Sequence, residues 1–208
     1  MKKTKQVEIQ IESLKKACKE FELDNTQGSY YISYSEFLEH FKHISEFKKH
    51  DVIIGIHLIY GWMPTICHLK SKAFDEAAEI LSKVKKDNQL LLVEGELNIL
   101  KDLFNNSIVG TSKLLHFISP ETYSIWDSKV CHYLGLPANA VNDISVYREY
   151  IEACRKVIRL CKDDIISVKE AMKEFEPYKD YEISDMRAIE LVMFTNGQNN
   201  KGLSKRNL

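Results

Sequence analysis

Gly110-Thr111-Ser112-Lys113-Leu114-Leu115-His116-Phe117-Ile118-Ser119-Pro120-Glu121-Thr122-Tyr123-Ser124-Ile125-Trp126-Asp127-Ser128-Lys129-Val130 is the stretch that decides how this chain reads. Its pattern is helix, short turn, helix. A glycine and two hydroxyl residues stand at the start of the first helix, where hydroxyl oxygens accept from free N–H groups. Ser119-Pro120 stops that helix, because proline lacks an N–H and clashes with the preceding turn. Asp127 follows a tryptophan and opens a second helix over 128–134, which Gly135-Leu136-Pro137 ends. No other window brings so many chemically distinct residues so close together.

Upstream, Leu90 to Phe104 reads as a buried helix, broken by Asn105-Asn106-Ser107. Residues 72–86 repeat Phe74, Ala77, Ala78, Leu81 and Val84 at the spacing of an amphipathic helix. Asp51 opens a helix through Tyr60 that is apolar almost all round, which places it at the core centre; Gly61-Trp62-Met63-Pro64 ends it. Before it, Ser33 or Ser35 caps a helix over Glu36 to Lys49, Tyr30-Tyr31-Ile32 reads as extended, and 24–29 is a polar break. Residues 5–23 form an amphipathic helix on Val7, Ile11, Leu14, Cys18 and Phe21.

Downstream, Asp143 or Ser145 caps a helix over 146–162 that continues near 163–175. Glu176-Pro177-Tyr178 is a break, and Ser184 or Asp185 caps a last helix through Phe194. No period-2 alternation lasts a strand length. The expected fold is all-α: a two-lobed bundle of about eight to ten helices around the central helical hairpin. Residues 1–195 make one helical domain, and the Asn/Gly/Lys-rich residues 196–208 a flexible tail.

Composition sets outer limits. The chain has 208 residues, 44% hydrophobic and 28% charged, with four prolines, which excludes general disorder and a coiled-coil rod. Its 29 basic and 30 acidic residues exclude a strongly basic nucleic-acid binder, though not a local basic face. Five scattered cysteines without a C-x-x-C read as reduced thiols of a cytoplasmic protein, and no Cys/His spacing points to a metal. The apolar run Val52 to Tyr60 falls well short of the roughly 18 residues of a membrane span, so no membrane partner is expected.

The chemistry concentrates in the opening stretch. Gly110, Thr111 and Ser112 either cap their helix or, with free N–H groups and Lys113 nearby, hold a phosphate. Asp127 either caps the helix over 128–134 or works in acid–base chemistry beside an aromatic wall. Trp126 and Trp62 either pack in the core or stack on a ligand. Ser112 and His116 lie one turn apart on the same face, but no G-x-S-x-G elbow accompanies them. Arg187 and Glu190, spaced i, i+3 on the last helix, pair with each other or with neighbours.

Ile108-Val109-Gly110-Thr111-Ser112-Lys113, followed by Ile125-Trp126-Asp127-Ser128-Lys129-Val130 and then Leu134-Gly135, resembles the helix-hairpin-helix DNA glycosylases. The likeness covers residues 106–135. In that superfamily a hairpin with a Val-Gly turn leads into a helix, and a short connection reaches a catalytic aspartate. Two positions depart from the family pattern. Ile108 stands where a further glycine is usual, and Lys113 stands one residue beyond the lysine of bifunctional members. The resemblance implies a DNA partner and a monofunctional glycosylase without cofactor. A damaged or modified base would be flipped from the duplex. Asp127 would stabilise charge on the sugar or activate water, with Lys113 the second catalytic candidate. Gly110, Thr111 and Ser112 would hold a phosphate, and Trp126 or Trp62 would stack on the base. The alternative is a non-catalytic helical module that binds nucleic acid or a protein partner.

Overall fold

The computed structural model describes residues 7–23, 28–63, 65–69 and 72–199. Among them the regular structure is helical throughout, with ten α-helices and no strand. They are α1 (Ile11–Lys19), α2 (Gly28–Lys42), α3 (Lys49–Trp62), α4 (Phe74–Lys86), α5 (Glu94–Leu103), α6 (Ile108–Ile118), α7 (Ser128–Tyr133), α8 (Ile144–Leu160), α9 (Lys162–Lys173) and α10 (Asp185–Asn199). Short 3-10 turns occupy Ala138–Asn142 and Glu176–Tyr178. No helix among the described residues is long and apolar enough to cross a membrane.

The helices gather around two members. α6 packs against α2, α3, α4 and α5, and α10 packs against α1, α7, α8 and α9. Apolar stripes drive this: Ala77, Ala78, Leu81 and Val84 bury one face of α4, and Val146, Tyr147, Tyr150, Ile151, Cys154 and Val157 one face of α8. α6 has no stripe, because it is enclosed on all sides. Thr111, Ser112, Lys113 and His116 are buried along with its apolar residues.

The turn from α5 to α6 explains where α6 begins. Asn105 and Asn106 take positive φ of 53° and 64°, a conformation asparagine tolerates better than most residues. Ser107 then caps α6, its Oγ accepting from Gly110 N at 3.3 Å. The helix therefore starts at Ile108, and Gly110 to Ser112 lie inside it. Gly110 is small for a packing reason: an added Cβ would meet Phe104 Cδ1 at 2.5 Å.

Other boundaries also differ from the sequence expectation. Tyr30-Tyr31-Ile32 is helical, not extended, because Tyr31, Tyr34, Ser35 and Phe41 bury a helix face. Tertiary packing outweighs the β-preference of aromatic residues. α2 accordingly ends at Lys42, and α3 starts at Lys49. α10 continues past Phe194 to Asn199, so 196–199 are helix, not tail. Gly197 there fits against α7 so closely that a Cβ would lie 2.1 Å from Lys129 O. The remainder of the expected tail, 200–208, and residues 5–6 of the first expected helix lie outside the described residues.

Candidate functional site

Between α6 and α7 the chain crosses the interior. Residues 122–126 are buried and not helical, so their backbone groups need partners from side chains. His116 Nδ1 donates to Tyr123 O at 2.6 Å. Tyr147 Oη donates to Ser124 O at 3.4 Å and Tyr150 Oη to Ile125 O at 3.3 Å. Trp126 N donates to Ser112 Oγ at 3.0 Å, and the Trp126 indole N–H donates to Val141 O at 2.9 Å. Tyr123 Oη donates to Leu90 O at 2.8 Å and accepts from Leu92 N at 3.1 Å. Side chains from α6 and α8 thus fix the path that delivers Asp127.

Asp127 is the N-cap of α7. Its Oδ1 accepts from Lys129 N at 2.8 Å and Val130 N at 3.1 Å. The residue is half-buried, and its charge is felt by Lys113, Glu190 and Tyr30. Lys113 is 8% exposed, with its ammonium 5.2 Å from the Trp62 ring centroid. Burial pushes its pKa down, while Asp127 and Glu190 pull it back up.

Within electrostatic reach of Asp127 lies a buried ion pair from α10. Arg187 and Glu190 are both fully buried, and Arg187 Nη1 donates to Glu190 Oε2. Arg187 Nη2 donates to Tyr178 Oη at 3.2 Å, and the guanidinium stands 4.4 Å from the Tyr34 ring centroid. Burial, with the Asp127 charge adding to it, raises the Glu190 pKa to about 7 against the opposing pull of Arg187. Glu190 Oε1 and Arg187 Nε have no hydrogen-bond partner among the described residues. The guanidinium also stands 5.8 Å from the Tyr30 ring, which stacks on Trp62 with centroids 4.1 Å apart and planes at 9°. Tyr30 also runs parallel to Phe194 at 6.5 Å. Lys129 Nζ sits 4.0 Å from the Phe194 centroid.

The structure thus brings Asp127, Lys113 and Trp62 together and sets the other sequence candidates apart. Gly110, Thr111 and Ser112 are not a phosphate cradle. They are buried in α6, and Gly110 N and Thr111 N already donate to Ser107. Trp126 is not a stacking surface, since it is fully buried with its indole N–H engaged. Ser112 and His116 do not form a hydrolytic pair. Ser112 Oγ serves Trp126, and His116 Nε2 accepts from Tyr34 Oη at 2.8 Å. Sequence reasoning missed Tyr30, Tyr34, Tyr178 and Phe194 as partners of the site. For Glu190 a signal existed: two opposite charges inside the apolar run Met186, Ile189, Leu191, Val192 and Met193.

No family model, no curated protein and no solved structure matches the chain.

Proposed function

We propose that this protein binds DNA and excises a base flipped out of the duplex, with Asp127 assisting cleavage of the glycosidic bond. The observation that supports it most is the placement of Asp127: a carboxylate pinned by a buried crossing, beside a buried lysine and a stack of aromatic rings. Such a carboxylate stabilises positive charge developing on the sugar, or takes a proton from the attacking water. The resemblance of residues 106–135 to helix-hairpin-helix DNA glycosylases points the same way. Lys113 supplies a charge next to the reacting sugar rather than a nucleophile, and Trp62 supplies the surface for the extruded base. The five cysteines are free, which supports a cytoplasmic setting.

A non-catalytic module for nucleic acid or a protein partner is the second reading. One observation favours it: Asp127 Oδ1 already accepts two N–H bonds of its own helix. Asp127→Asn separates the two. On the excision reading the variant loses base release from damaged duplexes and keeps salt-dependent DNA binding. Base release that survives the substitution removes Asp127 from the mechanism. Binding without release by the unaltered protein supports the module. Absence of any salt-dependent DNA binding defeats excision.

A further inference from the structure

Tyr30 is the ring common to two parallel contacts, at 4.1 Å and 9° with Trp62 and at 6.5 Å and 11° with Phe194. Its two neighbours are held without help from its ring. The Trp62 indole N–H donates to the Tyr30 backbone carbonyl at 3.1 Å, and Trp62 meets Phe117 edge-on at 5.1 Å. Phe194 belongs to α10 and carries the Lys129 ammonium at its face. The Tyr30 hydroxyl, in contrast, makes no hydrogen bond among the described residues. Moving this ring aside breaks ring contacts and the Arg187 cation contact but no hydroxyl hydrogen bond among the described residues, and another flat ring restores them.

The charges nearby select the kind of ring. Three cations face the group: Lys129 at 4.0 Å from Phe194, Lys113 at 5.2 Å from Trp62 and Arg187 at 5.8 Å from Tyr30. A cationic ring placed there meets three like charges, of which the carboxylates of Asp127 and Glu190 offset at most two. An uncharged ring bearing carbonyl oxygens is attracted by them instead. The buried Glu190 Oε1, without a hydrogen-bond partner among the described residues, adds an acceptor for an N–H on the ring edge.

We propose that the place held by the Tyr30 ring is a binding site for a flat, uncharged, carbonyl-bearing heterocycle, which enters by displacing Tyr30. Its natural source, a base flipped from DNA, rests on the excision reading above; the chemistry of the site does not. Free nucleosides test it directly. Inosine is the neutral carbonyl-bearing probe and 1-methyladenosine the cationic one, each titrated against tryptophan fluorescence. The fully buried Trp126 is replaced by Phe in every protein compared, so that Trp62 alone reports.

Tyr30→Ala is expected to bind inosine about tenfold more tightly than the protein that keeps Tyr30. Tyr30→Phe, which keeps the ring, matches the protein with Tyr30. Trp62→Leu added to Tyr30→Ala abolishes binding, read by calorimetry because no tryptophan remains. In each protein that binds, inosine is preferred over 1-methyladenosine. Thermal melts confirm folding, and Tyr30→Leu substitutes if the alanine variant does not fold. The proposal is overturned if removing the ring leaves inosine binding unchanged, weaker or undetectable, or if the cation binds better. Tight inosine binding by Tyr30→Ala without base release from DNA ends the excision reading and keeps this one. Base release with no effect of Tyr30 does the reverse.

Discussion

Ser112 makes three short contacts from one hydroxyl: to Val109 O at 2.9 Å, to Trp126 O at 3.1 Å and from Trp126 N at 3.0 Å. The last matters most, because the Trp126 N–H is buried and no helix or sheet satisfies it. Ser112→Ala strands that donor, and a loss of about 1–3 kcal/mol in stability is expected from urea unfolding. On the proposed excision reading, base release by the same variant falls as well, since Trp126 precedes Asp127 and sets its position. The chemistry of this stretch was legible in the sequence, because residue types show there. The role of Ser112 was not. Placing the helix start at Gly110 made it an end residue, whereas Ser107 takes the cap and turns Ser112 toward the crossing. Asp127 kept both of its readings, since a cap and a reacting carboxylate ask for the same residue at the same place.

Among the described elements, α7 and α10 share the most extensive contact, and Gly197 permits it. A Cβ there would lie 2.1 Å from Lys129 O and 2.8 Å from Lys129 C, which are backbone atoms and cannot rotate away. Gly197→Ala should therefore push α10 off α7, with a loss of about 1–3 kcal/mol in thermal unfolding and a disturbed Lys129–Phe194 contact. Gly95 is the control. Nothing stands within 4 Å of its added Cβ, so Gly95→Ala should hold or raise stability, by up to about 1 kcal/mol. The helices themselves were readable from apolar spacing where one face is buried, as in α4 and α8. Ends were misplaced where packing overrode local preference. Tyr30-Tyr31-Ile32 carries a strand-like signal, yet Tyr31 faces Tyr178 and Phe175 from within a helix. The Asn/Gly/Lys composition after residue 195 hid the last turns of α10.

For the whole molecule, two buried titrating groups act in opposite directions. Burial and the Arg187 charge hold the His116 pKa near 3 in the fold, below its ordinary 6.5. The unfolded chain alone takes up that proton as pH falls from 6.5 toward 3, so His116 lowers stability across this window. Glu190, raised from 4.5 to about 7, takes up its proton first in the folded state, so it adds stability as pH falls from 7 toward 4.5. Urea unfolding at pH of about 7 and about 5 separates them. Relative to the unaltered protein, His116→Asn should gain stability on acidification, and Glu190→Gln should lose it. This arrangement was only partly legible. The Arg187–Glu190 spacing showed a pair, but sequence does not tell which distant faces meet, and Tyr30, Tyr34 and Tyr178 come from elsewhere in the chain. The crossing at 122–126 gives the site an unequal mechanics. Its backbone is tied to α6 and α8, so Asp127 shifts only if the centre of the protein opens. α2 contributes to the site a ring held by ring and cation contacts, without a hydroxyl hydrogen bond among the described residues. On the proposed reading, adjustment to the shape of a ligand thus falls to the α2 wall, while the carboxylate stays the fixed reference against which a bound ring would be aligned.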